Sequence, residues 1–253
     1  MLNSQHRATS LAAIGQDGAI AESDFLSKHP MIIVHHLNNS RSQRILWLLE
    51  ELGIDYEIRH YQRDKTTMLA PPELRAVHPL GKSPVITDGD VTVAETGAIV
   101  EYLLDTYGGS RLHPARGTPE GRKLVYWLHY AEGSIMPLMV MTLIFRRVET
   151  APMPFFVKPI ARAIVGKVRS GYLDPNIKTH LDFMETEISK TGWFAGDNFT
   201  AADIQMSFPV EAAKARGALE GRPKLAAFLD RIHARPAYQR ALERGGPYEL
   251  QGS

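Results

Sequence analysis

The chemistry-bearing residues of this chain concentrate in the run His78-Pro79-Leu80-Gly81-Lys82-Ser83-Pro84-Val85 and in Glu95-Thr96 shortly after it. The first run reads as a strand entered through a Ser-Pro bond. A second short strand follows, then a helix that opens on an acid and a hydroxyl. Proline supplies no backbone donor, so Ser83 N–H and C=O are expected to face an open edge where an extended peptide can pair. An X-Pro bond at a strand start is also a candidate for the cis form. Glu95-Thr96 offers a carboxylate, a hydroxyl and unpaired helix N–H groups, a set suited to a small ligand's ammonium and carboxylate. Together the two segments would grip a short peptide at both ends.

Two tempting alternatives fail on spacing. Gly81-Lys82-Ser83 looks like the end of a phosphate loop. That motif requires a glycine where Ala76 stands and a helix where Pro84-Val85-Ile86-Thr87 reads as strand. His35-His36 looks like a ligand pair, but adjacent strand residues point to opposite faces and cannot share one ion well. No metal site is expected. His36 could border a ligand site, and His78 reads as structural.

The elements that would position these groups follow from pattern. Residues 31–37 read as a strand, 41–52 as a helix stopped by Gly53, and 54–61 as a second strand parallel to the first. Residues 63–77 read as a loop with at most a helical turn, broken at Pro71-Pro72. Val85-Ile86-Thr87 and Val91-Thr92-Val93 flank Asp88-Gly89-Asp90, a hairpin signal. Residues 95–107 read as a helix. The sum is an α/β domain of thioredoxin type over 31–110, a linker at 111–118 that carries Pro114 and Gly117, and an all-α domain over 119–253. Its helices are expected at 119–150 with a bend at Pro137, then at 155–190, 200–216, 223–233 and 236–244. Thr200 and Asp203 have the spacing of a capping box, with Phe199 and Ile204 as its staple. Residues 1–30 are polar and aperiodic and read as a flexible N-terminal extension.

Bulk properties narrow the function. Net charge is +1, which implies no nucleic-acid partner. No apolar run is expected to span a bilayer. Cysteine is absent, so disulfides, thiolate metal sites and a cysteine nucleophile are excluded. Any thiol chemistry must use a ligand's sulfur.

The ordered motifs resemble the soluble glutathione transferases, from about Met31 to Tyr248. They are Ile32 to Arg44, the helix Ile45-Leu46-Trp47-Leu48-Leu49-Glu50-Glu51-Leu52, Gly81-Lys82-Ser83-Pro84, Glu95-Thr96 and Phe199-Thr200-Ala201-Ala202-Asp203-Ile204. Their wording is most similar to a bacterial and fungal subgroup typified by a yeast membrane-associated enzyme. The resemblance implies a cytoplasmic homodimeric enzyme with glutathione as co-substrate and no metal. Its thiolate would attack an electrophilic apolar compound or reduce an organic hydroperoxide. Relatives on the same fold that only bind glutathione or apolar ligands form the alternative class.

The resemblance also implies roles. Serine-type members place the activating serine four residues before an arginine, as Ser40 stands before Arg44. Ser40 follows the first strand and precedes the first helix, where N–H groups are unpaired; the competing role is helix capping. Asn39 and Asn38 are alternative donors, and Ser42 is a weaker one. Lys82 would take the glycine carboxylate, Ser83 the cysteinyl backbone, and Glu95 and Thr96 the γ-glutamyl end. Arg41 and Arg44 could help the field at the thiolate or touch the ligand, but read better as formers of structural hydrogen bonds or salt bridges. Tyr126, Trp127, Tyr130, Met136, Met139, Met141 and Phe145 would line either a co-substrate pocket or the helical core. The basic stretch from Lys158 to Arg169, with Phe155-Phe156, could touch an anionic membrane but reads better as a solvated face.

Overall fold

A computed structural model describes residues 31–246. The expected extension over residues 1–30 and the last residues of the chain lie outside this range. Strand β1 (Ile32–Leu37) pairs in parallel with β2 (Tyr56–Tyr61) and antiparallel with β3 (Val85–Asp88). The last strand, β4 (Val91–Ala94), pairs antiparallel with β3, so the sheet order is β2-β1-β3-β4. Helix α1 (Gln43–Leu52) makes the parallel crossover, as right-handed β-α-β connections require. It ends at Gly53, whose φ of +65° is the left-handed conformation glycine adopts without a Cβ clash. Ile54 N–H there bonds back to the Leu49 carbonyl, completing a Schellman closure.

The loop before β3 holds a helix, α2 (Pro72–Val77). Pro72 does not break it; as its first residue, it starts it with a φ suited to the first turn. Helix α3 (Thr96–Leu103) continues into a wider π-type turn at Leu104–Gly108. The helical domain then runs α4 (Pro119–Tyr130), α5 (Met136–Thr150), α6 (Lys158–Val168), α7 (Asp174–Thr191), α8 (Ala201–Ala215), α9 (Pro223–His233) and α10 (Pro236–Gly245). The bend expected at Pro137 is a π-type turn at Ala131–Ile135, just before the proline, which sits in the first turn of α5. The single helix expected at 155–190 begins at Lys158 and is divided by another such turn at Arg169–Leu173.

Pro119–Thr150 is 32 residues long and includes a stretch apolar enough, by composition, to cross a membrane. A helix that packs into a protein core passes the same composition test. Its buried residues Leu124, Trp127, Leu128, Ile135, Met136 and Met139 join the core shared with Ile45, Leu46 and Trp47 of α1. Most of the Met and aromatic positions expected on this helix therefore serve packing, while Tyr126 is exposed.

Helix α1 is buried on nearly all sides because the sheet lies against one flank and α8 and α10 against the other. Three arginines strap α10 to the acidic end of α1. Arg240 and Arg244 reach Glu50 at 2.7 and 3.1 Å, and Arg235 holds Glu51 through its Nη2 at 2.8 Å. At the start of α8, Asp203 accepts from Thr200 N–H at 2.8 Å and Thr200 Oγ1 accepts from Ala202 N–H at 3.3 Å, within a complete capping box. Replacing Thr200 by Val should lower unfolding free energy by about 1 kcal/mol, read from urea midpoints, because the hydroxyl's cap bond from Ala202 N–H and its bond to Asp203 are lost.

Candidate active site

The site is built on the turn between β1 and α1. Alternation along β1 sends Ile32, Val34 and His36 to one face and His35 and Leu37 to the other. Leu37 packs with Tyr61 and Leu74 under α2, and His35 on the same side meets Tyr61 Oη at 2.9 Å. His36 faces the helical side, where its Nδ1 meets Ser42 Oγ at 2.8 Å. The two histidines thus point apart, and no cluster able to hold a metal occurs among the described residues. Burial, with Arg59 near His35 and His60 near His36, pushes both imidazoles down to about 4.

Asn39 is exposed and takes a left-handed φ of +50°, which asparagine tolerates, and this turns the chain into the helix. Ser40 follows, 5% exposed. Its Oγ lies 2.7 Å from Ser42 Oγ and 3.3 Å from Ser83 Oγ, and it accepts from Ser42 N–H at 3.3 Å. Ser83 Oγ donates to the His35 carbonyl at 2.9 Å and accepts from Leu37 N–H at 3.4 Å. The Ser83-Pro84 peptide is cis. No backbone group among the described residues engages Ser83 N–H or C=O. The fold therefore brings Ser40 and Ser83, far apart in sequence, into contact. Lys82 stands exposed beside them. Asn38 is used in structure: its Oδ1 accepts from Arg63 N–H at 2.8 Å.

Glu95, exposed with φ +73°, precedes Thr96 at the start of α3. Positive φ at a non-glycine residue is strained and recurs at ligand sites. Thr96 is buried, and its hydroxyl accepts from Arg44 Nη2 at 3.3 Å. Arg44 in turn pairs with Glu132 at 2.6 Å, and Arg41 pairs with the same carboxylate at 3.2 Å. Burial pushes the Glu132 carboxyl up, but the two guanidinium groups outweigh it and hold it below its ordinary value. Arg41 and Arg44 are thus ion-pair formers, as expected. Asp203 has the raised pKa of a candidate acid, pushed up to about 7 by burial. Both of its oxygens are occupied by backbone donors, Phe194 N–H and Thr200 N–H, at 2.8 Å each.

Sequence reasoning missed Glu132 and Gln205, which complete the polar cluster behind Thr96, and undervalued Ser42. The one available signal was Pro209, four residues after Gln205 inside α8, which removes the N–H that the Gln205 carbonyl would normally accept. A cleft of about 480 Å³ lies along Arg59, His60, Tyr61, Gln62, Pro71 and Glu73, and none of the expected site residues lines it.

A thioredoxin-like sheet with a hydroxyl turn beside a cis-prolyl edge, backed by an all-helical domain, defines a recognisable class of two-domain protein. The family models described as the N-terminal and C-terminal domains of glutathione S-transferase match residues 29–105 and 165–236. Glutathione S-transferase 3 of Schizosaccharomyces pombe is 38% identical over 85% of this chain and 88% of its own length. Glutathione S-transferase 1 of Saccharomyces cerevisiae is 35% identical over 85% and 95%. A crystal structure of a glutathione S-transferase from Actinobacillus pleuropneumoniae, 34% identical, covers 87% of this chain and 95% of that one with a TM-score of 0.69. A sphingomonad glutathione S-transferase complexed with glutathione shares the fold at 24% identity and a TM-score of 0.65, over 85% and 98%. The chain belongs to the glutathione S-transferase family.

Proposed function

We propose that this protein is a glutathione transferase whose Ser40 hydroxyl donates to the glutathione thiolate. The observation that carries this is the contact of Ser40 Oγ with Ser83 Oγ at 3.3 Å, which sets a hydroxyl donor beside an unpaired strand edge. Glutathione lies extended along Ser83, which binds its cysteinyl backbone. Lys82 takes the glycine carboxylate, and Glu95 and Thr96 take the γ-glutamyl end. The hydroxyl of Thr96 keeps its own hydrogen for the ligand, since Arg44 uses it only as an acceptor. Asn39 flanks Ser40 on the exposed side of the turn.

The energetics are adequate. A free thiol near pKa 8.5 is only a few per cent thiolate at neutral pH, and lowering it by about two units takes roughly 2.7 kcal/mol. A hydrogen bond to a charged group contributes about 1.5–3 kcal/mol, and a helix N-terminus about 0.3–1 kcal/mol. The first turn of α1 carries no acid to oppose that field. The thiol proton leaves to solvent. The sulfur then forms a bond to an electrophilic carbon, whose leaving group departs with its electron pair. With an organic hydroperoxide, the same thiolate attacks the outer oxygen, the O–O bond breaks and the alkoxide leaves to become the alcohol. The glutathione sulfenic acid so formed condenses with a second glutathione to give the disulfide and water. Family likeness supports a homodimer in the cytoplasm that needs no metal.

The test is the ultraviolet difference spectrum of glutathione with the protein across a pH series. A thiolate band titrating about two units below the free thiol is the expected result. Binding with no such band would leave a carrier, and no binding at millimolar glutathione would remove the enzyme reading.

A further inference from the structure

We infer that His36 is a positioning residue for thiol activation, fixing Ser40 through Ser42 and anchored on the far side by the last turn of α10. The inference rests on the reading of Ser40 as the thiolate's donor.

The chain of contacts is continuous and buried. Ser40 Oγ meets Ser42 Oγ at 2.7 Å, and Ser42 Oγ meets His36 Nδ1 at 2.8 Å. Ser40, Ser42 and His36 are 5%, 0% and 5% exposed. The Gly245 backbone carbonyl at the end of α10 acts on the His36 ring as an acceptor, favouring a hydrogen on the nitrogen that faces it. A carbonyl only accepts, so the ring nitrogen facing it carries the hydrogen. The imidazole is neutral at working pH, because burial and the neighbouring His60 push it down to about 4. A neutral ring has one hydrogen, so Nδ1 is left as an acceptor and the Ser42 hydroxyl hydrogen is committed to it. Ser42 can then offer Ser40 only a lone pair from its hydroxyl and its backbone N–H. The Ser40 hydroxyl hydrogen is then donated to Ser42 Oγ at 2.7 Å or Ser83 Oγ at 3.3 Å, and it is the one in the turn that a ligand sulfur can draw onto itself, since that of Ser42 is held by His36.

The approach is close. A Cβ on Gly245 would lie 2.4 Å from Leu46 Cδ1 and 2.6 Å from Gln43 Oε1, so any larger residue would force the ends of these two α1 side chains to shift. The final helix of the all-α domain thereby holds the back of a site built on the α/β domain.

The test titrates the thiolate band of bound glutathione in the full chain and in the variants His36→Phe, His36→Asn, Ser42→Ala, Ser40→Ala and the double variant His36→Phe/Ser40→Ala. His36→Phe should raise the bound thiol's pKa by about one unit, a roughly tenfold loss of thiolate below neutral pH, with KM for glutathione within about twofold. Ser42→Ala, a small truncation that leaves the core intact, should give the same shift. His36→Asn, whose amide oxygen can accept from Ser42, should stay within about threefold of the parent. In the Ser40→Ala background, His36→Phe should add nothing, since the two act as one unit. Unchanged thiol pKa in His36→Phe or Ser42→Ala, with Ser40→Ala shifted, would overturn the role of His36 and leave Ser40 standing. An unshifted Ser40→Ala would instead overturn the reading of Ser40 beneath it.

Discussion

Replacing Arg44 by Met is expected to destabilise the protein by about 3–5 kcal/mol, the range for breaking a buried ion pair from one side. Arg44 is 1% exposed and joins three elements. Its Nη1 donates to the Gln205 carbonyl at 2.6 Å, and its Nη2 donates to Glu132 at 2.6 Å and to Thr96 at 3.3 Å. The Gln205 bond has a specific cause. Pro209 cannot donate to that carbonyl, so the guanidinium takes the place of the missing helical N–H. Methionine would fill the volume but orphan a buried carbonyl and leave Glu132 with Arg41 at 3.2 Å and the Gln205 amide at 3.3 Å. For a chain of this size, thermal scans should show a fall on the order of 10 °C.

The loss should also depend on pH, with a definite sign. In the parent protein Glu132 sits below its unfolded pKa, so its contribution is present above that value and is lost as pH falls through the folded one. Without Arg44, burial dominates and raises the Glu132 pKa, so the variant loses stability as pH rises above about 4. The difference between the two should therefore be largest near neutrality and shrink towards acid pH. A difference that stays constant from acid to neutral pH would show that lost packing, and not the orphaned carboxylate, carries the effect.

Ser40→Ala is expected to reduce turnover at neutral pH by about 10- to 100-fold, the equivalent of one hydrogen bond to a charged sulfur. KM for glutathione should change little, because the ligand's backbone and termini are held elsewhere, at Ser83, Lys82, Glu95 and Thr96. Ser42 is not expected to substitute, since its hydroxyl is already engaged by His36 Nδ1 at 2.8 Å. The deficit should narrow as pH approaches the free thiol's pKa, where solvent ionises the thiol without help. Steady-state rates with a chloronitrobenzene electrophile at several pH values test this. A variant with parental turnover across the series would pass the role to Asn39.

The local structure was legible because its causes are local. The hairpin at Asp88-Gly89-Asp90, the stop at Gly53 and the cap at Thr200 and Asp203 are each set by residues within a turn of one another. So was the hydroxyl turn, which needs only a strand end, a helix start and Ser40 between them. The elements misread were those with competing local signals. Pro72 has the local signature of a breaker but starts a helix, and the bend expected at Pro137 lies in the π-type turn just before it.

Pattern along the chain was enough for the order of elements and the family. Tertiary structure alone decided which of the groups able to do chemistry meet. Ser42 and His36 are neighbours in sequence, but only the packing of α1 on β1 turns them toward each other. Arg44 and Gln205 are 161 residues apart, and Gly245 reaches His36 only because α10 folds back onto α1. Backbone propensities and caps act over one turn of chain, whereas a buried polar contact requires two faces to be desolvated together, and that choice is made by the whole core at once.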